Sequence, residues 1–373
     1  MYISPEARKC ILALSYFAKI GPTSIKLLES RFTNFFKIFE AGESALVESG
    51  LKTKIAEQFI VWRKNWDERP VLKELRENNI NYATWHDPDY PAWLKEIPSP
   101  PPILYYIGSI NQSVSKNLAI VGSRLPSPYA HNLIDLLVPE IVEKGIIVIS
   151  GLAYGVDTLA HNSVLENKGI TWAVLGSGLL KIYPAKNLPL AKKIVSTGGA
   201  IISEFAPHHP PLRLNFPQRN RIISGLSRAT LIIEATESSG ALITAKFALE
   251  QGRDVLAVPG NIFSQTSKGT NKLISAGAEV ITSGQDILNI FGLSSQDLKQ
   301  KTTNPSRNKP IFFDKIEEIV YLCLEAATNR CEKLTIDEIA EKTKINSSVI
   351  CSKLSMLEIR GIAQSHGFRY DLS

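Results

Sequence analysis

Cysteine is scarce in this chain of 373 residues, and long apolar runs are missing. The four cysteines, at positions 10, 323, 331 and 351, show no CxxC or Cys/His spacing, which argues against a disulfide scaffold and a structural zinc site. No apolar run approaches the ~18 residues of a membrane span. The first residues, MYISPEARKC, lack the basic-then-apolar pattern of a secretory leader. We therefore expect a cytoplasmic protein without membrane contact.

Two common nucleotide-binding motifs are also absent. The chain contains no Gly-Lys pair, so it has no Walker A motif, and ATP hydrolysis by that route is excluded. A Rossmann dehydrogenase requires GxGxxG after the first strand of its sheet and an acid at the end of the second strand. The corresponding segments here read GSRLPS and SGLAYG. We therefore expect no bound cofactor.

Acidic residues are nearly absent from one segment. Residues 167–233 contain nine Lys and Arg but a single carboxylate, Glu204. The whole chain has 42 Lys and Arg against 36 Asp and Glu, a formal charge of +6, so the remainder sums to −2. A localised basic surface favours a polyanionic partner. The alternative explanation of the same pattern is a solvated lysine-rich face.

Shifts in composition divide the chain into three units and their connections. Six prolines within residues 86–102 interrupt any helix or sheet interior there. The polar stretch SSQDLKQKTTNPSRNK has too few large apolar residues to join a core. We predict a helical domain, a proline-rich connector that includes the start of the central domain, a central domain, a linker and a C-terminal domain. They cover residues 1–85, 86–110, 111–293, 294–309 and 310–373 respectively.

The central domain contains seven short apolar, β-branched runs. They begin 25 to 29 residues apart, which is the length of a repeated βαβ unit, and helical patterns lie between most of them. Several runs are apolar on consecutive positions, as in strands buried on both faces. The pattern predicts an α/β fold with a doubly wound, Rossmann-like parallel sheet. The runs LAIV, IIVIS, TWAVL, AIISE, ATLIIEA, DVLAVP and EVITS begin at positions 118, 146, 171, 200, 229, 254 and 279.

In such a sheet, ligands bind outside the carboxyl ends of the strands. The turn Gly122-Ser123-Arg124 follows the first run and offers backbone N–H groups, a hydroxyl and a guanidinium to an anion. Lys181 and Lys186 follow the third run, and further arginines follow the fourth. Charge and strand periodicity therefore predict one cationic edge of the sheet, suited to a nucleotide or to a DNA phosphate.

The segment NFPQRNR follows the fourth run at the start of a predicted helix. An aromatic ring, guanidiniums and amides are the groups that stack unpaired bases and hold phosphates. The alternative is a buried phenylalanine that anchors the helix. The candidate residues are Asn215, Phe216, Arg219, Asn220 and Arg221.

Titratable groups elsewhere in the central domain have structural explanations. Asp157 and His161 lie four residues apart and would share a helix face. We favour a helix opened by the aspartate, with the histidine packed nearby. Glu204 and Glu234 stand at strand ends, and we expect each to fix neighbouring arginines. The Ser-Ser-Gly turn at 238–240 is interpreted as a helix cap. We predict no metal site and no catalytic residue.

Seven segments, in this order, closely resemble the DprA/Smf family of DNA-processing proteins and together span the central domain. They are AIVGSR, SGLAYGVDTLAH, VLGSGLLKIYPAKN, ISEF, FPQRNRIISGLSRATLIIEA, SGALITA and QGRDVLAVPGNI, which begin at positions 119, 150, 174, 202, 216, 239 and 251. One residue departs from the family pattern SGLARGID, because Tyr154 stands where that pattern usually has arginine. If that arginine contacts DNA elsewhere in the family, one contact is lost here.

The resemblance implies a cytoplasmic protein, without established catalytic turnover, that binds and protects single-stranded DNA. It also implies a homodimer formed through the Rossmann-like domain and a role in loading RecA during natural transformation. By motif match, phosphates would be held by Arg124, Lys186, Arg219 and Arg221, with Asn215 and Phe216 close to the bases. The alternative functions are a nucleotide-processing enzyme that uses the same crevice and a purely architectural partner of DNA proteins.

The flanking domains also resemble modules of DNA-handling proteins. The segments IGPTSI and SGLKT near the N-terminus resemble helix-hairpin-helix or SAM-type modules. Helical patterns over 314–327, 335–343 and 347–360, followed by a possible β-wing over 361–372, resemble a winged helix-turn-helix. Because the third of these helices carries few cations, partner binding is a stronger hypothesis for this domain than groove recognition.

Overall fold

A computed structural model describes residues 5–17, 19–32, 35–110, 116–293, 315–328, 333–360, 362–366 and 369–372. The chain forms two compact units, Met1–Asp297 and Leu298–Ser373, each with its own apolar core. The predicted linker over residues 294–309 lies outside the described residues.

The described residues of the first unit begin with six helices, in the segment that the sequence predicts to be helical. Pro22 stands in the first turn of the second helix, where its missing N–H leaves no hydrogen bond unmade. Asp67 caps the sixth by accepting a hydrogen bond from the Arg69 N–H (3.0 Å). The rings of Phe17 and Phe59 pack 5.4 Å apart in the core of this part. The helices are α1 (Pro5–Tyr16), α2 (Pro22–Arg31), α3 (Phe35–Glu40), α4 (Glu43–Glu48), α5 (Thr53–Lys64) and α6 (Glu68–Glu77).

Nine strands of the described residues form one sheet in the order β1-β2-β6-β5-β4-β3-β7-β8-β9. All seven predicted strands are present, and they run parallel from β6 to β9. The strands are β1 (Asn81–Thr84), β2 (Ile103–Gly108), β3 (Asn117–Val121), β4 (Ile147–Ser150), β5 (Thr171–Val174), β6 (Ala200–Ser203), β7 (Ala229–Ile232), β8 (Asp254–Ala257) and β9 (Glu279–Val280).

The sheet extends beyond the predicted domain boundary at residue 85. β1 lies within the segment predicted as helical, and β2 lies within the predicted connector. β1 pairs with β2, and β2 pairs with β6, both antiparallel. The prolines fall between the two strands or just before β2, where they interrupt no ladder. The sheet domain therefore begins at residue 81 and includes both flanks of the proline-rich segment.

Helices cover both faces of the sheet, and two apolar clusters fill the space between the layers. The strand order reverses between β3 and β7, because β4, β5 and β6 extend to one side of β3 while β7, β8 and β9 extend to the other. Such a switch point opens a crevice at the carboxyl ends of the strands. The helices are α7 (Ala92–Lys95), α8 (Pro128–Glu143), α9 (Val156–Glu166), α10 (Leu188–Ser196), α11 (Asn215–Gly225), α12 (Gly240–Glu250), α13 (Lys268–Ser275) and α14 (Gly284–Ile290).

The second unit combines three helices with a small antiparallel sheet in the order β10-β12-β11. Thr335 and Glu338 form a capping box at the start of its second helix. The element order matches the predicted three helices and β-wing, while the winged-helix assignment itself stays a prediction. Its elements are α15 (Lys315–Thr328), β10 (Leu334–Thr335), α16 (Ile336–Thr343), α17 (Ser347–Ile359), β11 (Ala363–His366) and β12 (Arg369–Leu372). No helix in the described part of the chain is both long and apolar enough to cross a bilayer.

Candidate nucleic-acid interface

A pocket of about 420 Å³ opens at the switch point between β3 and β7. Its walls come from the turn after β3, the start of α11 and the first turns of α12. The fold therefore brings together segments that are about 100 residues apart in sequence. Six of the predicted site residues line it, namely Gly122, Ser123, Arg124, Phe216, Arg219 and Asn220.

Two glycines let the turn after β3 lie directly on the loop before α9. A Cβ at Gly122 would lie 2.7 Å from the Val156 side chain. A Cβ at Gly155, whose φ is +82°, would lie 2.2 Å from the Ser123 carbonyl oxygen. That oxygen accepts a hydrogen bond from the Val156 N–H (3.0 Å), while the Ser123 hydroxyl donates to the Leu125 carbonyl (2.9 Å). Ser123 therefore shapes a rigid turn.

Arg124 leaves this turn toward solvent. Its side chain is exposed and forms no ion pair with any residue that the structure describes. Its charge acts on Arg219, whose pKa it helps to lower. Tyr154, 46% exposed, stands beside it, because a Cβ at the adjacent Gly155 would lie 2.7 Å from the Arg124 Cα. The position where the family pattern has arginine thus carries an exposed tyrosine whose neighbouring backbone lies against the Arg124 turn.

Arg219 lies inside the protein, with only 3% of its surface exposed. Its Nη1 donates to the carbonyl oxygens of Gly151 (2.7 Å) and Val174. Burial lowers the pKa of Arg219 to about 10, and the neighbouring Asp157 opposes that shift. This placement differs from the predicted phosphate contact, because the guanidinium donors tie the ends of β4 and β5 to α11.

Arg221 is likewise buried, in an ion pair with Glu204. Two parallel hydrogen bonds join the guanidinium to the carboxylate, from Nη1 to Oε1 (3.1 Å) and from Nη2 to Oε2 (2.7 Å). The two side chains are 7% and 5% exposed. Burial raises the pKa of Glu204, and Arg221 opposes that shift. The pair confirms that Glu204 fixes an arginine, and it removes Arg221 from the solvent edge where we predicted a phosphate contact.

The loop after β5 presents Lys181 and Lys186 to solvent. Lys186 belongs to a short 3₁₀ turn, Ala185–Asn187. The Asn187 amide donates to the Leu152 carbonyl (2.9 Å) and to the Thr158 hydroxyl oxygen (2.9 Å). The lysine loop is therefore attached to the same loop before α9 that supports the Arg124 turn, so these cations share one edge of the sheet.

Phe216 forms part of the pocket wall and is half-buried. Its ring packs against Gly176, where a Cβ would lie 2.8 Å from the ring. The ring of Tyr183 lies 5.5 Å from that of Phe216, at an angle of 53°, and Tyr183 is 48% exposed. Phe216 thus combines both predicted roles, an anchor and an accessible ring. Sequence reasoning missed Tyr183, although its position between Lys181 and Lys186 was a usable signal.

The asparagine side chains of the NFPQRNR segment donate hydrogen bonds to backbone carbonyl oxygens. Asn215 is buried and donates to the Pro210 carbonyl (3.4 Å). Asn220 donates to the Gly240 carbonyl at the start of α12 (3.3 Å). Ser239 caps α12 by accepting from the Ala241 N–H (3.3 Å), which confirms the cap interpretation of the Ser-Ser-Gly turn. The capped first turn of α12, with Gly240 and Ala241, borders the pocket.

Asp157 and His161 take structural roles, as we favoured. Asp157 lies in the first turn of α9. Its carboxylate accepts hydrogen bonds from the backbone N–H groups of Gly151 (3.0 Å) and Ala153 (3.3 Å), in the loop before that helix. Burial raises its pKa, while Arg219 lowers it. His161 is fully buried with its Nδ1 2.7 Å from the Thr171 hydroxyl, and burial lowers its pKa to about 3. The imidazole is therefore neutral at physiological pH.

Glu234 does not fix an arginine, and that prediction was wrong. Its Oε2 accepts from the Ser127 N–H (3.0 Å), and its Oε1 accepts from the hydroxyls of Ser127 (2.5 Å) and Thr266 (3.0 Å). The carboxylate is 2% exposed. The carboxylate accepts the Ser127 N–H at the start of α8 and joins the loop after β3 to the loop after β8. Its partners Ser127 and Thr266 are 107 and 32 residues away in sequence, so no local pattern reveals these contacts.

Fold and site together define a doubly wound α/β protein whose switch-point pocket is bordered by exposed cations, aromatic rings and helix N-termini, an anion-binding design. Residues 81–292 match the family model of DNA recombination-mediator protein A. The chain belongs to this family, as the sequence resemblance implied.

Relatives and solved structures agree with this assignment. Protein Smf of Synechocystis sp. is 36% identical over 96% of this chain and 97% of its own length. The X-ray structure of DNA processing protein A from Streptococcus pneumoniae is similar over 78% of this chain and 98% of that one, with a TM-score of 0.64 and 33% identity. A structure of the Helicobacter pylori protein, described for its single-stranded DNA binding mode, has a TM-score of 0.51 and 29% identity, and it covers 57% of this chain and 95% of that one.

Proposed function

We propose that this protein binds single-stranded DNA along the carboxyl edge of its central sheet. The observation that carries the proposal is the set of exposed cations, Arg124, Lys181 and Lys186, held on hydrogen-bonded loops around a pocket with an accessible aromatic wall. Phosphates attract such cations without regard to sequence, and unpaired bases stack on aromatic rings. The reported binding mode of the Helicobacter pylori relative supports the same ligand class.

The site residues divide into two groups in this proposal. Arg124, Lys181 and Lys186 contact phosphates, with the backbone N–H groups of the Gly122-Ser123 turn beside them. Phe216 stacks on a base, with the exposed ring of Tyr183 next to it. Asn215, Arg219, Asn220 and Arg221 position these groups from within the fold, because their side chains are engaged with backbone or with Glu204.

A nucleotide-processing enzyme in the same crevice is the less favoured function. General acid–base catalysis needs a titratable group that can reach the substrate. Asp157, Glu204 and Glu234 are all occupied by hydrogen bonds within the fold. His161 is fully buried and held near Thr171. We therefore assign no catalytic turnover to these groups.

Membership of a family of DNA recombination mediators supports a role beyond binding. We propose that the bound strand is protected in the cytoplasm and passed to RecA during natural transformation, and that the protein acts as a homodimer formed through the Rossmann-like domain. Light scattering coupled to gel filtration tests the dimer, for which a monomer mass would count against this part. The rate at which RecA nucleates on a single strand that is coated by a different DNA-binding protein, measured with and without the present chain, tests the transfer.

Fluorescence anisotropy of a labelled oligonucleotide tests DNA binding directly. Wild-type protein should bind a single strand more tightly than the matching duplex. The logarithm of its affinity should fall linearly with the logarithm of salt concentration, with a slope of about −2 if three phosphates are neutralised. Lys186→Ala should weaken binding, whereas Lys193→Ala should not, since that exposed lysine lies in the last turn of α10, at the opposite edge. Equal or tighter duplex binding would disprove the single-strand preference.

A further inference from the structure

The loop after β8 exposes an apolar pair at the carboxyl edge of the sheet. Phe263 is 87% exposed, the largest value among the bulky apolar side chains of the described residues, and Ile262 is 74% exposed. Neither residue belongs to the site proposed above. An exposed phenyl ring with an exposed isoleucine beside it offers apolar surface to a partner.

The exposure is built into a rigid turn. The Phe263 N–H donates to the Asn261 side-chain oxygen (2.9 Å), and the Ser264 N–H donates to the Asn261 carbonyl (2.9 Å). One end of the loop is held by Asn271, whose amide donates to the Gly260 carbonyl (3.0 Å) and accepts from the Gly260 N–H (3.1 Å). The loop that carries the ring is therefore ordered before any ligand binds, which lowers the entropic cost of binding.

The same loop is joined to the turn that carries Arg124. Glu234 accepts hydrogen bonds from Ser127, three residues beyond Arg124, and from Thr266, three residues beyond Phe263. The Tyr129 hydroxyl also donates to the Pro259 carbonyl (2.9 Å). β3 and β8 are separated by β7 alone, so their ends lie about 10 Å apart at the usual strand spacing. The two loops form one continuous surface.

The charge around the phenyl ring suits a polyanion. Residues 255–278 contain two lysines, Lys268 and Lys272, and no carboxylate. Both lysines are exposed. Glu237 is an exposed acid in the loop after β7, the strand that lies between β3 and β8 in the sheet. An exposed aromatic ring in a loop without carboxylates, joined to the turn that carries Arg124, is an arrangement suited to unpaired bases.

We propose that Phe263, with Ile262 beside it, is a stacking platform for a base of a single-stranded nucleic acid whose phosphates lie at Arg124. The strand then runs across the sheet edge from the β3 turn to the β8 loop and leaves the switch-point pocket in that direction. This inference rests on the proposed function and adds a second base-contact point to it. The competing occupant of an exposed apolar pair is a second copy of this chain.

An oligothymidylate and an abasic strand of equal length separate stacking from phosphate contact. Phe263→Ala should weaken binding of the oligothymidylate about 5- to 150-fold, the range expected for one stacked base. It should leave the affinity for the abasic strand and the salt slope unchanged, because no phosphate contact is lost. The Phe263→Trp variant should bind normally and lose fluorescence when the oligothymidylate is added. Val61→Ala, a truncation of a 65% exposed side chain on α5, serves as the control.

Three outcomes would overturn the inference, and they differ from one another. If wild-type protein binds neither strand, the proposed function fails and takes this inference with it. If wild-type protein binds and Phe263→Ala binds each strand as tightly as wild type does, the stacking platform is wrong while the proposed function stands. If Phe263→Ala changes the mass of the protein in solution but not its affinity for DNA, a second copy occupies the surface.

Discussion

The turn after β3 and the start of α11 carry the same residue type for different purposes. Arg124 in the turn is exposed and unpaired within the described part of the chain, whereas Arg219 and Arg221 in the helix are buried and bound to carbonyl or carboxylate oxygens. All three stand at one edge of one sheet. The comparison shows that the arginines at this edge divide into an exposed charge that is available to a ligand and buried charges that hold the loops in place.

The division has a physical cause. A buried guanidinium needs hydrogen-bond acceptors inside the protein, since an unpaired buried charge costs several kcal/mol. Arg219 therefore joins the ends of β4 and β5, and Arg221 pairs with Glu204. A guanidinium on a surface turn keeps its donors hydrated and available for a phosphate. Substitution of a buried arginine should therefore lower the free energy of unfolding, and substitution of the exposed arginine should weaken DNA binding.

The largest effect is expected from Arg221→Ala. Removal of the guanidinium leaves the Glu204 carboxylate buried without its partner, which should lower the free energy of unfolding by about 3 to 5 kcal/mol. Urea titration followed by circular dichroism measures the loss. Arg213→Ala is the matched control, because that arginine is exposed in the same basic segment, and it should change stability by less than about 0.5 kcal/mol. Equal urea midpoints for the two variants would contradict the structural role of Arg221.

Acidification from pH 7 to pH 5 should lower the free energy of unfolding through the buried His161. His161 has a pKa of about 3 in the folded protein against an ordinary value of 6.5. The unfolded chain therefore takes up the proton first, so this contribution to stability is present above pH 6.5 and is lost as the pH falls toward 3. At pH 5 the loss should reach about 2 kcal/mol. Asp157 and Glu204 act in the opposite direction, since their pKa values are raised.

The variant His161→Gln isolates this contribution. Unfolding free energies of the variant and of the wild-type protein, measured between pH 7 and pH 5, should converge as the pH falls. His131→Gln replaces an exposed histidine on α8 and should keep the wild-type pH dependence. A parallel pair of curves for His161→Gln and wild type would show that the imidazole does not couple folding to protons.

Arg124→Ala should show the converse behaviour, with an unchanged urea midpoint and weaker DNA binding. Loss of one charge-assisted phosphate contact should reduce affinity for a single strand about 10-fold. The salt slope should become shallower by about 0.7, the value for one phosphate of a single strand. Anisotropy titrations at several salt concentrations measure both quantities. An unchanged slope would place the phosphate contacts elsewhere on the edge.

The parallel part of the sheet was predictable because its strands are buried on both faces. Consecutive β-branched residues then repeat at the βαβ spacing, and each of the seven runs became a strand. β1 and β2 escaped this argument. β1 has four residues with exposed Asn81 at its start, and β2 follows a proline cluster that marks a boundary when it is considered locally. The pairing of β2 with β6 joins segments about 100 residues apart.

The site was predictable in place but not in detail. Glycine turns and cations after strand ends correctly indicated the edge at which the pocket opens. The burial of Arg219 was not predictable, because charged residues are rarely buried and its acceptor Val174 lies 45 residues away. Glu234 illustrates the same limit, since its hydroxyl partners carry no charge pattern that a sequence search would connect.

The smallest expected effect concerns an acid within the exposed group of charges. Glu237 is exposed in the loop after β7, between the Arg124 turn and the Phe263 loop. A carboxylate about 8 Å from a phosphate in water costs roughly 0.5 kcal/mol, so Glu237→Gln should tighten single-strand binding about twofold at low salt. The gain should vanish near 1 M salt, where screening is complete over that distance. Glu143→Gln, at the exposed end of α8 on the opposite edge, should have no effect on affinity. If Glu237→Gln also has none, the strand does not cross the loop after β7, and the contacts at Arg124 and Phe263 belong to separate paths.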